Sequence, residues 1–189
     1  VAHAEHELEQ NQIVSRWCDS SSQKACDIKD FDDPAGAVLR DIRIVDYDNQ
    51  ATQDTVFQSV CALGGPNGWF RYNFLWRLRG IMDKLSGGYG LSRGRRDNVE
   101  LRVGDALDFW KVVDIKPGKR LLLYAQMKVP GEAWLEFDVQ SDQLIQTAHF
   151  IPHGILGRLY WYSVLPIHHL VFSNLARTVV KASGTFTSA

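Results

Sequence analysis

The sequence has little of what usually announces a chemistry. Cysteine is scarce, with Cys18, Cys26 and Cys61 among 189 residues. Their number is odd, and they lack both the CxxC of a redox motif and the paired short spacing of a zinc site. That pattern fits a reducing, cytoplasmic setting, with a Cys18–Cys26 bridge as the alternative. A charge excess is lacking too: 21 Lys+Arg against 22 Asp+Glu leave a formal charge of −1. Nothing global therefore draws the chain to nucleic acid or to an anionic surface, and any basic patch must be local.

Signature loops are missing as well. GGPNG, residues 64–68, has no lysine of the phosphate-loop kind, and a tight helix-to-helix turn accounts for it. GGYGLSR, residues 87–93, places Arg93 where the third glycine of a dinucleotide loop would stand. A strand rather than a helix is expected after it, so no nicotinamide cofactor is predicted to bind this chain itself. GLSRG, residues 90–94, has the letters of GxSxG, but the strand expected after it is not the helix of a nucleophile elbow, so nucleophilic catalysis is not expected. The longest apolar run, residues 155–172, contains Arg158, Pro166, His168 and His169. Each is expensive in hydrocarbon, so a helix of a folded domain is expected and not a membrane span.

What is present is apolar and aromatic: 45% and 11% of residues, enough for one well-buried core. The opening VAHAEHELEQNQ has no methionine and no signal-peptide core, and is expected to have been cut from something longer. Residues 1–38 show no sustained period and read as an arm. Residues 39–182 read as the domain and 183–189 as a tail.

Within the domain, LRDIRIVDYD alternates Ile42 and Ile44 against Arg43, Val45 and Tyr47, as a strand does. Thr52 caps a short helix carrying Val56, Val60 and Leu63 at helical spacing. Trp69, Tyr72, Trp76 and Gly80 form a stripe on a second helix, with Phe70, Phe74 and Ile81 beside it and Arg71, Arg77 and Arg79 mostly elsewhere. Four strands then follow in ALDFWKVVDI, RLLLYAQMKV, AWLEFDV and LIQTAHFI, separated by PGK, PGE and SDQ. Those turn residues predict an antiparallel meander. The chain closes on a long helix from residue 155, with a kink expected at Pro166.

An α+β fold follows. A curved antiparallel sheet wraps around a long C-terminal helix, with two short helices after the first strand closing one end: a helix-grip arrangement. Such a fold leaves space between helix and sheet, where side chains at the mouth decide between core and ligand pocket.

NFLWRLRGIMDKLSGG, RGRRD, LRVGDALDFWKV, QMKVPGEAWLEFDV and GRLYWYSVLPIHHLVF together resemble the bacterial domain of unknown function 2867. The resemblance spans roughly residues 40–180. It implies a START and polyketide-cyclase-like fold and a relationship to proteins carrying a preceding NAD(P)-binding Rossmann domain. That domain is of the short-chain dehydrogenase or nucleoside-diphosphate-sugar epimerase type. NAD(P) would then belong to the preceding domain. The resemblance carries no catalytic residue.

Candidate chemistry is therefore judged residue by residue. Arg93, Arg95 and Arg96, with Arg77 and Arg79, can grip an oxyanion or lie solvated beside Asp97 and Glu100. Asp105, Asp108, Glu136 and His149 are the acid–base candidates. Glu136 shares a strand face with Trp134 and Asp138, which is either the solvent face or a pocket wall; glutamate more commonly takes the former. His149 lies opposite Ala148 and Phe150 and reads as a structural histidine. His153, His168 and His169 lack zinc-helix spacing, and no metal is expected. The expected ligand site is a mouth of aromatic rings made by Trp69, Tyr72, Trp76, Trp110, Tyr160 and Tyr162 beside Trp161, with Arg77 at its edge.

The leading reading is a binding module for a small apolar or aromatic molecule, accessory to a Rossmann domain. The alternatives are an enzyme of cyclase, dehydratase or isomerase type, and a docking or homodimerisation domain without a ligand. Nucleic acid is not an expected partner.

Overall fold

The computed structural model describes residues 38–48, 51–64, 100–126 and 128–186. Strand β1 (Leu39–Asp46) is followed by helix α1 (Gln53–Cys61). Strands β2 (Ala106–Leu107), β3 (Trp110–Lys116), β4 (Arg120–Ala125), β5 (Gly131–Val139) and β6 (Gln143–Pro152) come next, and helix α2 (Gly154–Phe186) closes the chain. The order in the single sheet is β1-β6-β5-β4-β3-β2, and every neighbouring pair is antiparallel. This is the α+β architecture that the order of periods implies, and it is consistent with the helix-grip arrangement. The second short helix expected around residues 69–81 lies outside the described residues.

The turns behave as their residues dictate. Gly118 takes a left-handed φ of 71° between β3 and β4, a conformation that glycine adopts at low cost. The expected strand 106–115 is split at Asp108, whose φ of 57° breaks the ladder into β2 and β3. A bulge falls between Val112 and Asp114. This extra residue reverses the alternation, so that Ile115 joins the inner core while Asp114 swings outward to Arg120.

The two sheet faces differ. Leu121, Leu123, Leu135, Phe137, Leu144 and Phe150 share one face, all in register, and all are almost fully buried. Burying each contributes about 1.5–3 kcal/mol. Helices α1 and α2 cover this face. Val56 and Val60 of α1 and Trp161, Phe172, Leu175, Ala176 and Val179 of α2 join the same core. Those α2 positions recur three and four apart, which places them on one side of the helix. On the opposite face Leu122, Tyr124 and Trp134 form a second, smaller buried cluster.

Helix α1 begins as its sequence implies: the Thr55 backbone N–H donates to the Thr52 hydroxyl at 3.2 Å, and the Thr52 backbone N–H donates to the Thr55 hydroxyl at 2.9 Å. Helix α2 starts abruptly after β6 because Gly154 adopts φ 64°. It runs without interruption through Pro166 and past residue 182 to Phe186. Pro166 deprives the Tyr162 carbonyl of its helical donor, and both residues are exposed, so water can replace the lost bond.

Candidate functional site: a polar cluster beneath the terminal helix

Strand β1 is where pattern and structure part. Its alternation is real, but the residues sharing the helix-facing side are Leu39, Asp41, Arg43 and Val45, opposite Phe150, Ala148, Gln146 and Leu144 of β6. Ile42 and Ile44 turn outward and are at least half exposed. An acid, a base and an amide thus stand on the apolar side of the sheet, beside α2.

Arg43 organises the cluster. Its Nη1 lies 2.7 Å from Asp41 Oδ1 and donates to the Ile42 carbonyl at 2.9 Å. Its Nη2 stands 3.2 Å from Nδ1 of His169. Asp41 is buried, and burial pushes its carboxyl above the ordinary range against the attraction of Arg43 and His169. His168 sits edge-on to Trp161 at 5.3 Å and against Phe172 at 4.7 Å.

Gln146 forms the floor. It is 1% exposed, yet neither its amide nitrogen nor its oxygen has a hydrogen-bond partner. Asp41 Oδ2 and Arg43 Nε are likewise buried and unpartnered. Each buried polar group without a partner costs about 1–3 kcal/mol, and native interiors carry few of them. Two donors and two acceptors are thus concentrated beneath α2, among Phe137, Ala148 and Val45. Such a constellation matches a molecule with an apolar body and one polar end bearing both a donor and an acceptor.

Of the rings expected at an aromatic mouth, Trp110, Tyr160, Trp161 and Tyr162 are among the described residues. Trp110 is buried on the inner side of β3, 5.1 Å from the ring of Phe109. Tyr160 is half-buried, 5.7 Å from Phe150. Tyr162 is 59% exposed and turns away, because neighbouring helix positions differ by about 100°. The inward ring is Trp161, stacked on Phe150 at 5.6 Å and 11°. Trp69, Tyr72, Trp76 and Arg77 lie outside the described residues, as do Arg79, Arg93, Arg95 and Arg96.

The acid–base candidates go elsewhere. Glu136 and His149 are on the outer face, as their phase implies, but Glu136 is not solvated. Arg120, itself almost wholly buried, donates from Nε to Glu136 Oε1 at 2.6 Å and from Nη1 to Asp114 Oδ2 at 2.6 Å. His149 Nε2 lies 2.9 Å from Glu136 Oε2. Burial alone would raise the Glu136 carboxyl, but hydrogen bonds from His149 and Arg120 and the Arg120 charge bring it down to about 2. Asp105 accepts the Arg102 backbone N–H at 2.9 Å, a turn contact. Among the described residues no group of three His, Cys, Asp or Glu side chains is placed to hold a metal.

Sequence reasoning missed Asp41, Arg43 and Gln146. The available signal was parity: Leu39, Asp41, Arg43 and Val45 share one phase of β1. Their inward direction is visible once β1 is paired with β6.

Fold and cluster define an α+β protein with a polar group of side chains in an otherwise apolar helix–sheet interior. A family model for proteins of unknown function, DUF2867, matches residues 34–175, and the chain belongs to that family. No curated protein matches it. Among the solved structures similar to it are the following three. The Mll3558 protein of Rhizobium loti is 12% identical, over 76% of this chain and 98% of that one, with a TM-score of 0.41. Protein CV1439 of Chromobacterium violaceum is 15% identical, over 76% and 97%, with a TM-score of 0.37. CalU16 of Micromonospora echinospora is 13% identical, over 80% and 96%, with a TM-score of 0.33.

Proposed function

We propose that this chain is a binding module of the START-like helix-grip type. It holds a small, flat, mainly apolar or aromatic molecule between the sheet and α2, with the molecule's polar end on Gln146, Asp41 and Arg43. The observation that supports this reading is Gln146: a fully buried side chain whose donor and acceptor both lack partners. A ligand edge that presents an acceptor beside a donor, as a carboxamide or lactam does, satisfies both amide atoms at once. In the same reading the module is accessory to a preceding Rossmann domain of a cytoplasmic epimerase-like protein, with NAD(P) bound by that domain and not by this one.

Catalysis is the second reading, favoured by one feature. Asp41 is a buried carboxyl held above its ordinary range next to Arg43, a pairing suited to proton transfer at a bound ligand's polar end.

Ligand-observed NMR with naphthalene-2-carboxamide, naphthalene-2-carboxylic acid and naphthalene tests the binding reading. The expected order places the carboxamide first, with its preference over naphthalene lost in Gln146→Met. Equal saturation transfer to all three in both proteins, or none to any, would overturn it.

A further inference from the structure

The outward side of α2 makes a different demand from its inward one. Ile155, Leu156, Leu159, Tyr162, Ile167 and Leu170 are each more than half exposed. At about 100° per residue they occupy one side of the helix, and at 1.5 Å per residue they extend for about 23 Å. Isolated apolar side chains on a surface are ordinary, but a contiguous strip of six large ones is a docking feature. The charge along the same helix has one sign. Gly154–Phe186 contains no aspartate or glutamate, whereas Arg158, Arg177 and Lys181 are exposed. By the same helical geometry Arg177 and Lys181 continue the apolar side beyond Leu170.

We infer that this face of α2 docks on the surface of an anionic lipid bilayer, lying in its plane. The apolar strip would enter the boundary between headgroups and acyl chains, while Arg158, Arg177 and Lys181 meet lipid phosphates. Spanning is not what the helix does, for no helix among the described residues is long and apolar enough to cross a membrane. A second copy of the chain is a poorer occupant. Pairing α2 with itself brings cations together with no acid on either helix to offset them. Anionic lipid supplies the missing charge. This surface is opposite the face that covers the polar cluster, and the inference does not depend on any ligand there.

Flotation of the full chain with vesicles tests it, comparing phosphatidylcholine alone with a mixture containing about 30% phosphatidylglycerol. The protein should float with the anionic vesicles and remain at the bottom with the neutral ones. The variants Leu159→Glu/Leu170→Glu and Arg177→Glu/Lys181→Glu should each lose most of that flotation while keeping the wild-type circular dichroism spectrum, since all four side chains are exposed. The inference is overturned if the wild type does not float. It is equally overturned if the leucine variant floats undiminished, because the apolar strip then has no part in binding. Light scattering that shows a dimer dissolved by the leucine variant, without flotation, would assign the face to a second copy.

Discussion

Arg43 and Gln146 stand directly opposite one another on β1 and β6, both on the helix-covered side of the sheet, and no hydrogen bond joins them. Arg43 is engaged by Asp41, the Ile42 carbonyl and His169. Gln146 is left with a complete amide and nothing to bond. A position kept polar at that expense is one where stability and function should separate.

Gln146→Met keeps the side-chain length and removes both unpartnered atoms. We expect the variant to be more stable by about 1–3 kcal/mol, since an unmade buried hydrogen bond costs that much. Urea denaturation checks it; a destabilised Met variant would mean that the amide is satisfied in solution.

Asp41 and Glu136 should give opposite pH dependences. Glu136 sits at about 2, well below the 4.5 of an ordinary glutamate. Its stabilisation is complete above pH 4.5 and is lost as pH falls toward about 2. Solvent screening limits the effect to about 1–2 kcal/mol, and Glu136→Gln should flatten the acid limb of a Tm-versus-pH curve. Asp41 is raised instead, so its contribution is present below the ordinary carboxylate range and fades as pH rises through its folded pKa. The stability of Asp41→Asn relative to wild type should therefore increase from acid toward neutral pH.

Arg120 is the shared partner of Glu136 and Asp114 on the outer face. Arg120→Leu removes the buried cation between the two carboxylates, leaving Lys116 at 4.0 Å from Asp114 and His149 at 2.9 Å from Glu136, and should cost about 3–5 kcal/mol. Glu136→Gln in the same background should recover part of that loss, because the remaining repulsion is removed. Chemical denaturation of the single and double variants measures both terms.

Adjacent aromatic residues on α2 should respond very differently to truncation. Trp161 is buried and stacked on Phe150, and Trp161→Ala is expected to cost about 3–5 kcal/mol. Tyr162→Ala, at an exposed position, should stay within about 0.5 kcal/mol of wild type. Equal losses in thermal unfolding would mean that the helix is rotated from the orientation described.

Much of this molecule was determined by its sequence alone. Thr52 and Thr55 dictated the start of α1, the turn residues around Gly118 and Gly131 dictated an antiparallel meander, and the apolar run from residue 155 dictated a long terminal helix. These are local effects, governed by dihedral preference, capping and period. The candidate site was not local. Both phases of β1 carry apolar residues, Ile42 and Ile44 in one and Leu39 and Val45 in the other, and strand period does not say which faces inward; Asp41 and Arg43 took the inward phase because Leu39 and Val45 meet Phe150 and Leu144 across β6. Glu136 read as a solvent-side carboxylate until the bulge at Val112/Asp114 and the register of β4 brought Arg120 and Asp114 to it. Side-chain chemistry was legible residue by residue, but which groups share a low-dielectric space is set by strand pairing over long sequence separations, and only the tertiary structure decided that.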